Sequence, residues 1–150
     1  LLNRYPLLQG IVFELPAVAE RTRAALDEMN LSARCRVVGG DFFSAIEPGA
    51  DIYIMRHVIH DWQDHEAVAI LRNCRTAMKK TSKLLVIEHI IAPGNTPCFG
   101  KWLDLMMLLV GGRERTESEY ENLFSQAGLK LDRIIPTPGE VSLIEACHAP

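Results

Sequence analysis

The sequence predicts an α/β fold, Rossmann-like, with a mostly parallel sheet that ends in an antiparallel hairpin. Three observations carry this reading. Short apolar runs at 11–14, 35–38, 51–55 and 84–88 alternate with stretches of helical periodicity. The last two apolar runs, 129–135 and 141–147, are joined by a link too short for a parallel crossover. Of the 150 residues, 48% are hydrophobic, which supplies the core of one domain or part of one.

Taken in order, residues 1–5 read as the last turn of a helix stopped by Pro6, and 11–14 as a strand. Pro16 suits the first position of a helix, whose apolar stripe is marked by Val18, Ala25, Leu26 and Met29. The strand 35–38 is closed by Gly39, Gly40 and Asp41, and Pro48 with Gly49 turns the chain into the strand 51–55. Asp61 or Asp64 can cap the next helix, with Glu66 adding negative charge to its first turn. Ala67, Leu71, Cys74 and Met78 share one face of it, and Arg75, Lys79 and Lys80 close it as the helix dipole favours. The run 84–88 is apolar on both faces, as a strand inside a parallel sheet is. Pro93, Gly94, Asn95 and Pro97 form a loop. Residues 102–110 are apolar nearly all round and predict a buried helix ended by Gly111 and Gly112. Thr116 and Glu119 make a capping box, Tyr120, Leu123, Phe124 and Ala127 supply the apolar face behind it, and Gly128 is the C-terminal cap.

Composition narrows the function classes. The net charge is −3 and the pI about 6.0, with no basic stripe, so neither nucleic acid nor an anionic membrane is expected as a main partner. The longest apolar run, LMMLLV at 105–110, is far too short to span a bilayer. Leu1 opens without a basic segment, so no signal peptide is expected. Cys35, Cys74, Cys98 and Cys147 are widely spaced, which suggests neither a zinc site nor a disulfide framework and points to a reduced, cytoplasmic setting.

Ligands of open α/β sheets bind outside the carboxyl ends of the strands. Glu14 ends the first strand, Asp41 follows the second, Arg56, His57 and His60 follow the third, and Glu88 ends the fourth. Taken singly, each is better read as a loop or capping residue; together they outline one crevice. An acidic residue after a strand can accept both hydroxyls of a ribose. A histidine there can move a proton near neutral pH if a carboxylate orients it. Glu88 and Glu114 are both candidates for that carboxylate, and Glu114 can also be a solvated loop charge paired with Arg113 or Arg115.

Five motifs, VFELP at 12–16, GGDFF at 39–43, IHDW at 59–62, VIE at 86–88 and GGRERT at 111–116, fall in the order and spacing of one family. The chain resembles the S-adenosylmethionine-dependent O-methyltransferases of the plant caffeate and hydroxyindole type, which also occur in bacterial secondary metabolism. The resemblance implies that His60 is the general base and that Glu88 and Glu114 flank and orient it. It implies that Glu14 meets the cofactor ribose, where the family usually has Asp, and that Asp41 and Phe42 hold the adenine. Arg56 stands where the family often has Lys, near the cofactor, and Met106 and Met107 resemble the helix that lines the acceptor pocket; plain core packing explains these two nearly as well. The reaction implied is transfer of a methyl group to a hydroxyl of a small aromatic or secondary-metabolite acceptor, without a metal. The family's first strand, its glycine-rich loop and its N-terminal dimerisation domain find no match in the chain. The resemblance therefore implies a C-terminal part of a catalytic domain, inactive alone, within a homodimer.

Two other readings compete. A nicotinamide-dependent oxidoreductase also carries an acidic residue after its second strand, but the terminal hairpin and the IHDW motif favour the methyltransferase. A non-catalytic methyltransferase-like binding module would lack the base or its partners, whereas His60, Glu88 and Glu114 are all present.

Overall fold

The computed structural model describes all 150 residues, Leu1–Pro150. They form two compact units, Leu1–Glu47 and Pro48–Pro150.

In the first unit, strand β1 (Gly10–Glu14) leads into helix α1 (Pro16–Glu28), with Pro16 in the first turn, and returns as β2 (Cys35–Gly39). β1 and β2 pair in parallel, with Glu14 opposite Gly39. Leu26, Leu31 and Cys35 form the core of this unit, with Leu2, Val12 and Val37 packed against them. The buried face of α1 is Ala19 and Leu26, seven residues apart (26 − 19). Ala25 and Met29, predicted for the same stripe, are exposed. Two turns of helix advance seven residues, so the Ala19–Leu26 pair sets the face and leaves Ala25 a hundred degrees off it.

The second unit runs β3 (Ile52–Arg56), α2 (Asp64–Ala77), β4 (Lys83–His89), α3 (Phe99–Met107), α4 (Glu117–Ala127), β5 (Leu129–Pro136) and β6 (Val141–His148). Its sheet has the order β3-β4-β6-β5. β3 and β4 are parallel, and β6 inserts antiparallel between β4 and β5. The expected α/β class and terminal hairpin are present; the strands lie in two sheets, β1-β2 and β3-β4-β6-β5, and two of the four pairings are antiparallel. Leu84, Val86 and Glu88 point to the same buried face of β4, by the two-residue period of a strand. Ile70, Leu71 and Cys74 of α2 and Tyr120, Leu123 and Phe124 of α4 are buried with them, together with Ile144 and Ala146 of β6.

The caps of α4 are as predicted: Thr116 and Glu119 form the capping box, and Gly128 adopts the left-handed conformation at φ 75°. The cap of α2 is neither Asp61 nor Asp64 but Gln63, whose N–H donates to Glu66 Oε2 at 3.1 Å. Asp64 is engaged elsewhere, accepting from the Arg115 guanidinium. The apolar segment predicted as a buried helix over 102–110 is α3, displaced three residues toward the N-terminus and largely exposed in this unit. Trp102 is 72% exposed, and Leu105, Met106, Leu108, Leu109 and Val110 are exposed with it. A helix apolar all round carries no periodicity that could say which side is covered. Here only Gly100 and Met107 are buried. No helix is long and apolar enough to cross a membrane.

Candidate active site

In the first unit the parallel pairing brings the ends of β1 and β2 side by side, and the Gly40 N–H donates to the Glu14 carbonyl at 2.8 Å. The half-buried Glu14 therefore sits one strand from Asp41. Gly40 packs closely here: a Cβ would lie 2.5 Å from the Phe13 ring, which would have to shift. Asp41 Oδ1 accepts from the Phe43 N–H at 2.8 Å and so shapes the turn that carries the half-buried Phe42 ring. Two hydrogen-bond-accepting carboxylates one strand apart and an aromatic face form a set of groups suited to a ribose and its adenine.

In the second unit the chain leaves β3 at the exposed Arg56 and turns sharply at His57, whose φ of 51° lies in the left-handed region that non-glycine residues seldom adopt. A short 3-10 turn, Ile59–Asp61, follows and carries His60. Glu88, fully buried at the end of β4, holds this turn through one oxygen: Oε1 accepts from the N–H groups of Val58 at 3.0 Å and Ile59 at 3.1 Å. The Ile59 side chain, fully buried, plugs the turn into the core.

A second hold comes from 111–116. Arg115 is fully buried, its Nη1 donates to the Ile59 carbonyl at 3.0 Å, and its Nη2 donates to the Trp62 carbonyl at 2.7 Å and to Asp64 Oδ1 at 2.8 Å. The Arg113 N–H donates to the His60 carbonyl at 2.8 Å. The turn bearing His60 is thus pinned from both sides by backbone-directed bonds.

Against this backbone the His60 ring is aimed by Glu114. Glu114 Oε1 accepts from His60 Nδ1 at 2.7 Å, and the Glu114 N–H is itself held by Asp104 Oδ1 of α3 at 2.8 Å. The other Glu88 oxygen, Oε2, lies 3.8 Å from His60 Nδ1 and 3.4 Å from His57 Nδ1. The bond to Glu114 raises the His60 pKa above its ordinary 6.5, against the opposing effect of burial, with the Glu88 charge adding to the rise. Burial pushes the Glu88 carboxyl up, while the His60 charge and the Val58 N–H hold it down. Burial and the neighbouring His60 and Arg56 charges lower the pKa of His57. The His57 ring lies between those of His60 and His89, with centroids 5.3 and 5.7 Å away.

His60, Glu88 and Glu114 are therefore brought together. Glu14, Asp41 and Phe42 gather at one end of their own sheet. Met107 is buried, and a Cβ on Gly112 would meet its methyl at 2.7 Å, whereas Met106 is 60% exposed. Sequence reasoning missed Arg115 and Gly112, treating Arg115 as at most a surface partner of Glu114. The signal was a buried-type pattern in plain view, two glycines and three charges directly before a capping box. It also missed that His57, His60 and Glu88 present donor atoms all within 4.8 Å of one another, because neighbouring strands bring together residues far apart in the chain.

A family profile described as O-methyltransferase domain matches residues 1–130. The phenazine O-methyltransferase PhzM of Lysobacter antibioticus is 43% identical over 147 residues, covering 97% of this chain and 43% of the relative. The mitomycin biosynthesis 6-O-methyltransferase of Streptomyces lavendulae is 44% identical over 152 residues, covering 99% of this chain and 43% of the relative. Among solved structures, the O-methyltransferase NcsB1 from neocarzinostatin biosynthesis, in complex with S-adenosylmethionine and 2-hydroxy-5-methyl naphthoic acid, superposes with a TM-score of 0.88 at 36% identity, over 98% of this chain and 43% of that one. The chain thus spans about two fifths of the length of the curated relatives it matches.

Proposed function

From the premise that the chain belongs to the O-methyltransferase domain family, we propose that its protein transfers a methyl group from S-adenosylmethionine to a hydroxyl of a small aromatic acceptor, with His60 as general base. The observation that carries this is the 2.7 Å bond between His60 Nδ1 and Glu114 Oε1 on a turn pinned at both ends. With Nδ1–H given to Glu114, Nε2 keeps the lone pair that accepts the acceptor's hydroxyl proton. Held by Glu14, Asp41, Phe42 and Arg56, S-adenosylmethionine would supply an electrophilic sulfonium methyl with a neutral thioether as leaving group. Glu88 and Glu114 stabilise the imidazolium that forms, and the fixed turn supplies orientation. Glu14, Asp41, Phe42 and Arg56 are assigned to the cofactor, and Met106 and Met107 to the acceptor side. The protein is proposed to act as a homodimer, with this chain as part of its catalytic domain. A nicotinamide-dependent oxidoreductase is not favoured: the relatives are named as methyltransferases, and the oriented histidine serves proton abstraction.

The test is the pH–rate profile in the protein that carries this chain. The base must be neutral, so kcat/KM falls as pH drops through a pKa above 6.5. In Glu114→Gln the largest cause of that rise is gone. The inflection therefore moves to lower pH while the plateau rate drops. An inflection unchanged by Glu114→Gln would refute the pairing of base and carboxylate.

The cofactor assignment has its own check. Glu14→Ala should weaken S-adenosylhomocysteine binding by roughly 1.5–3 kcal/mol, the worth of a hydrogen bond to a charged group, and leave acceptor affinity in place. Calorimetry that finds the same affinity in both proteins would remove Glu14 from the site.

A further inference from the structure

We propose that His57, His60 and Glu88 form a binding site for a borderline-soft divalent cation, Zn2+, and that its occupancy takes the base out of service. The inhibitory consequence rests on the reading of His60 as the base; the site itself rests on geometry.

The three side chains offer two imidazole nitrogens and one carboxylate oxygen within 4.8 Å of one another. Zinc bonds of about 2.0–2.1 Å in tetrahedral geometry set neighbouring donors about 3.3 Å apart. Glu88 Oε2 is 3.4 Å from His57 Nδ1 and 3.8 Å from His60 Nδ1, close to that spacing, and the third pair of ligand atoms lies within 4.8 Å, so the two imidazoles must draw together to close the site. Both Glu88 Oε2 and His57 Nδ1 are buried with no hydrogen-bond partner, and the Glu88 side chain has no exposed surface. A buried carboxylate oxygen without a partner is costly unless something occupies it. Its companion Oε1 is fixed by the Val58 and Ile59 N–H groups, the outer-shell support that orients a ligating carboxylate. The left-handed backbone at His57 turns its ring toward Glu88, and strain of this kind is kept where a side chain must be aimed.

The donor set selects the ion. Two histidines and a carboxylate suit zinc, with a fourth position left open; magnesium demands octahedral oxygen ligands. The His57 side chain is 34% exposed, which gives the ion a route in from solvent. A cation on His60 Nδ1 takes the place of the proton shared with Glu114, and the neutral imidazole then carries its one proton on Nε2, the nitrogen assigned to take up the acceptor's proton. The ring is then fixed to the metal and can no longer shuttle a proton.

The experiment titrates Zn2+ into the protein carrying this chain by calorimetry, with Co2+ absorption reporting tetrahedral nitrogen ligation. The comparison is His57→Asn, because Asn tolerates a left-handed backbone and its fold can be checked by thermal melting. One ion per chain is expected, bound at least about tenfold more weakly in His57→Asn. Zn2+ should also inhibit methyl transfer, reversibly on chelation, with the inhibition constant raised by the same factor in the variant. No saturable binding, or equal affinity in the two proteins, overturns the site. Inhibition that ignores His57→Asn overturns the inhibitory role. Absence of methyl transfer altogether would overturn the function proposed above, while the titration and cobalt spectrum would still decide the site.

Discussion

His60→Gln should lower kcat for methyl transfer by about a hundredfold or more, as removal of a general base does, while S-adenosylhomocysteine binds as before. Gln is close to His in size and can still donate to Glu114, so the turn keeps its packing and its main partner. What it lacks is a nitrogen that takes up a proton. The acceptor hydroxyl would then attack protonated or rely on water. The partner of His60 is Glu114, which is not among the residues assigned to the cofactor. Single-turnover kinetics at neutral pH with saturating cofactor is the check. Turnover near that of the unaltered protein would show that His60 is not the base.

Gly112→Ala should be nearly as damaging, although Gly112 performs no chemistry. A Cβ there would sit 2.2 Å from the His60 carbonyl oxygen, 2.7 Å from the Met107 methyl and 3.0 Å from the Asp61 Cα. Met107 can swing away, but the two backbone atoms cannot, because the His60 carbonyl is tied to Arg113 and the Ile59 and Trp62 carbonyls to Arg115. Either the turn or the 111–116 segment must move. Overpacking of this kind costs about 1–3 kcal/mol of stability. The functional loss is larger in proportion, since a displacement of about 1 Å at a reacting group can cost about a hundredfold in rate. Denaturant unfolding and kcat measured together would test this. A variant with normal kcat would mean that the close approach of Gly112 does not fix the position of His60.

Several local signals in the sequence read true, though the apolar stripe expected of α1 did not, since Ala25 and Met29 are exposed. The capping box at Thr116 and Glu119, the left-handed Gly128, the helix face of Ala67, Leu71, Cys74 and Met78, and the terminal hairpin each depend on neighbours a few residues away. Errors arose where a distant partner decides. Asp64 has the composition of a helix cap, but the buried Arg115 claims it, and Gln63 takes the cap instead. The α3 segment is uniformly apolar, so its pattern could not tell a covered face from an open one. In the site, strand ends and a known motif pointed to His60, Glu88 and Glu114. Nothing in the spacing revealed that His57 shares Glu88 with His60, since that depends on the parallel register of β3 and β4.

The clamp on the His60 turn also has a consequence in time. His60 meets Glu114, 54 residues further along, and Ile59 meets Arg115 across 56. At synthesis rates of about 5–20 residues per second, the turn emerges roughly 3–11 s before its clamp has been made. Until then the left-handed kink at His57 and the buried side of Ile59 have no bonds from that segment to hold them. The turn that carries the histidine is thus completed only after the chain has passed 115, late in the assembly of its own unit, and a nascent chain stalled earlier holds the residues of the site without its geometry.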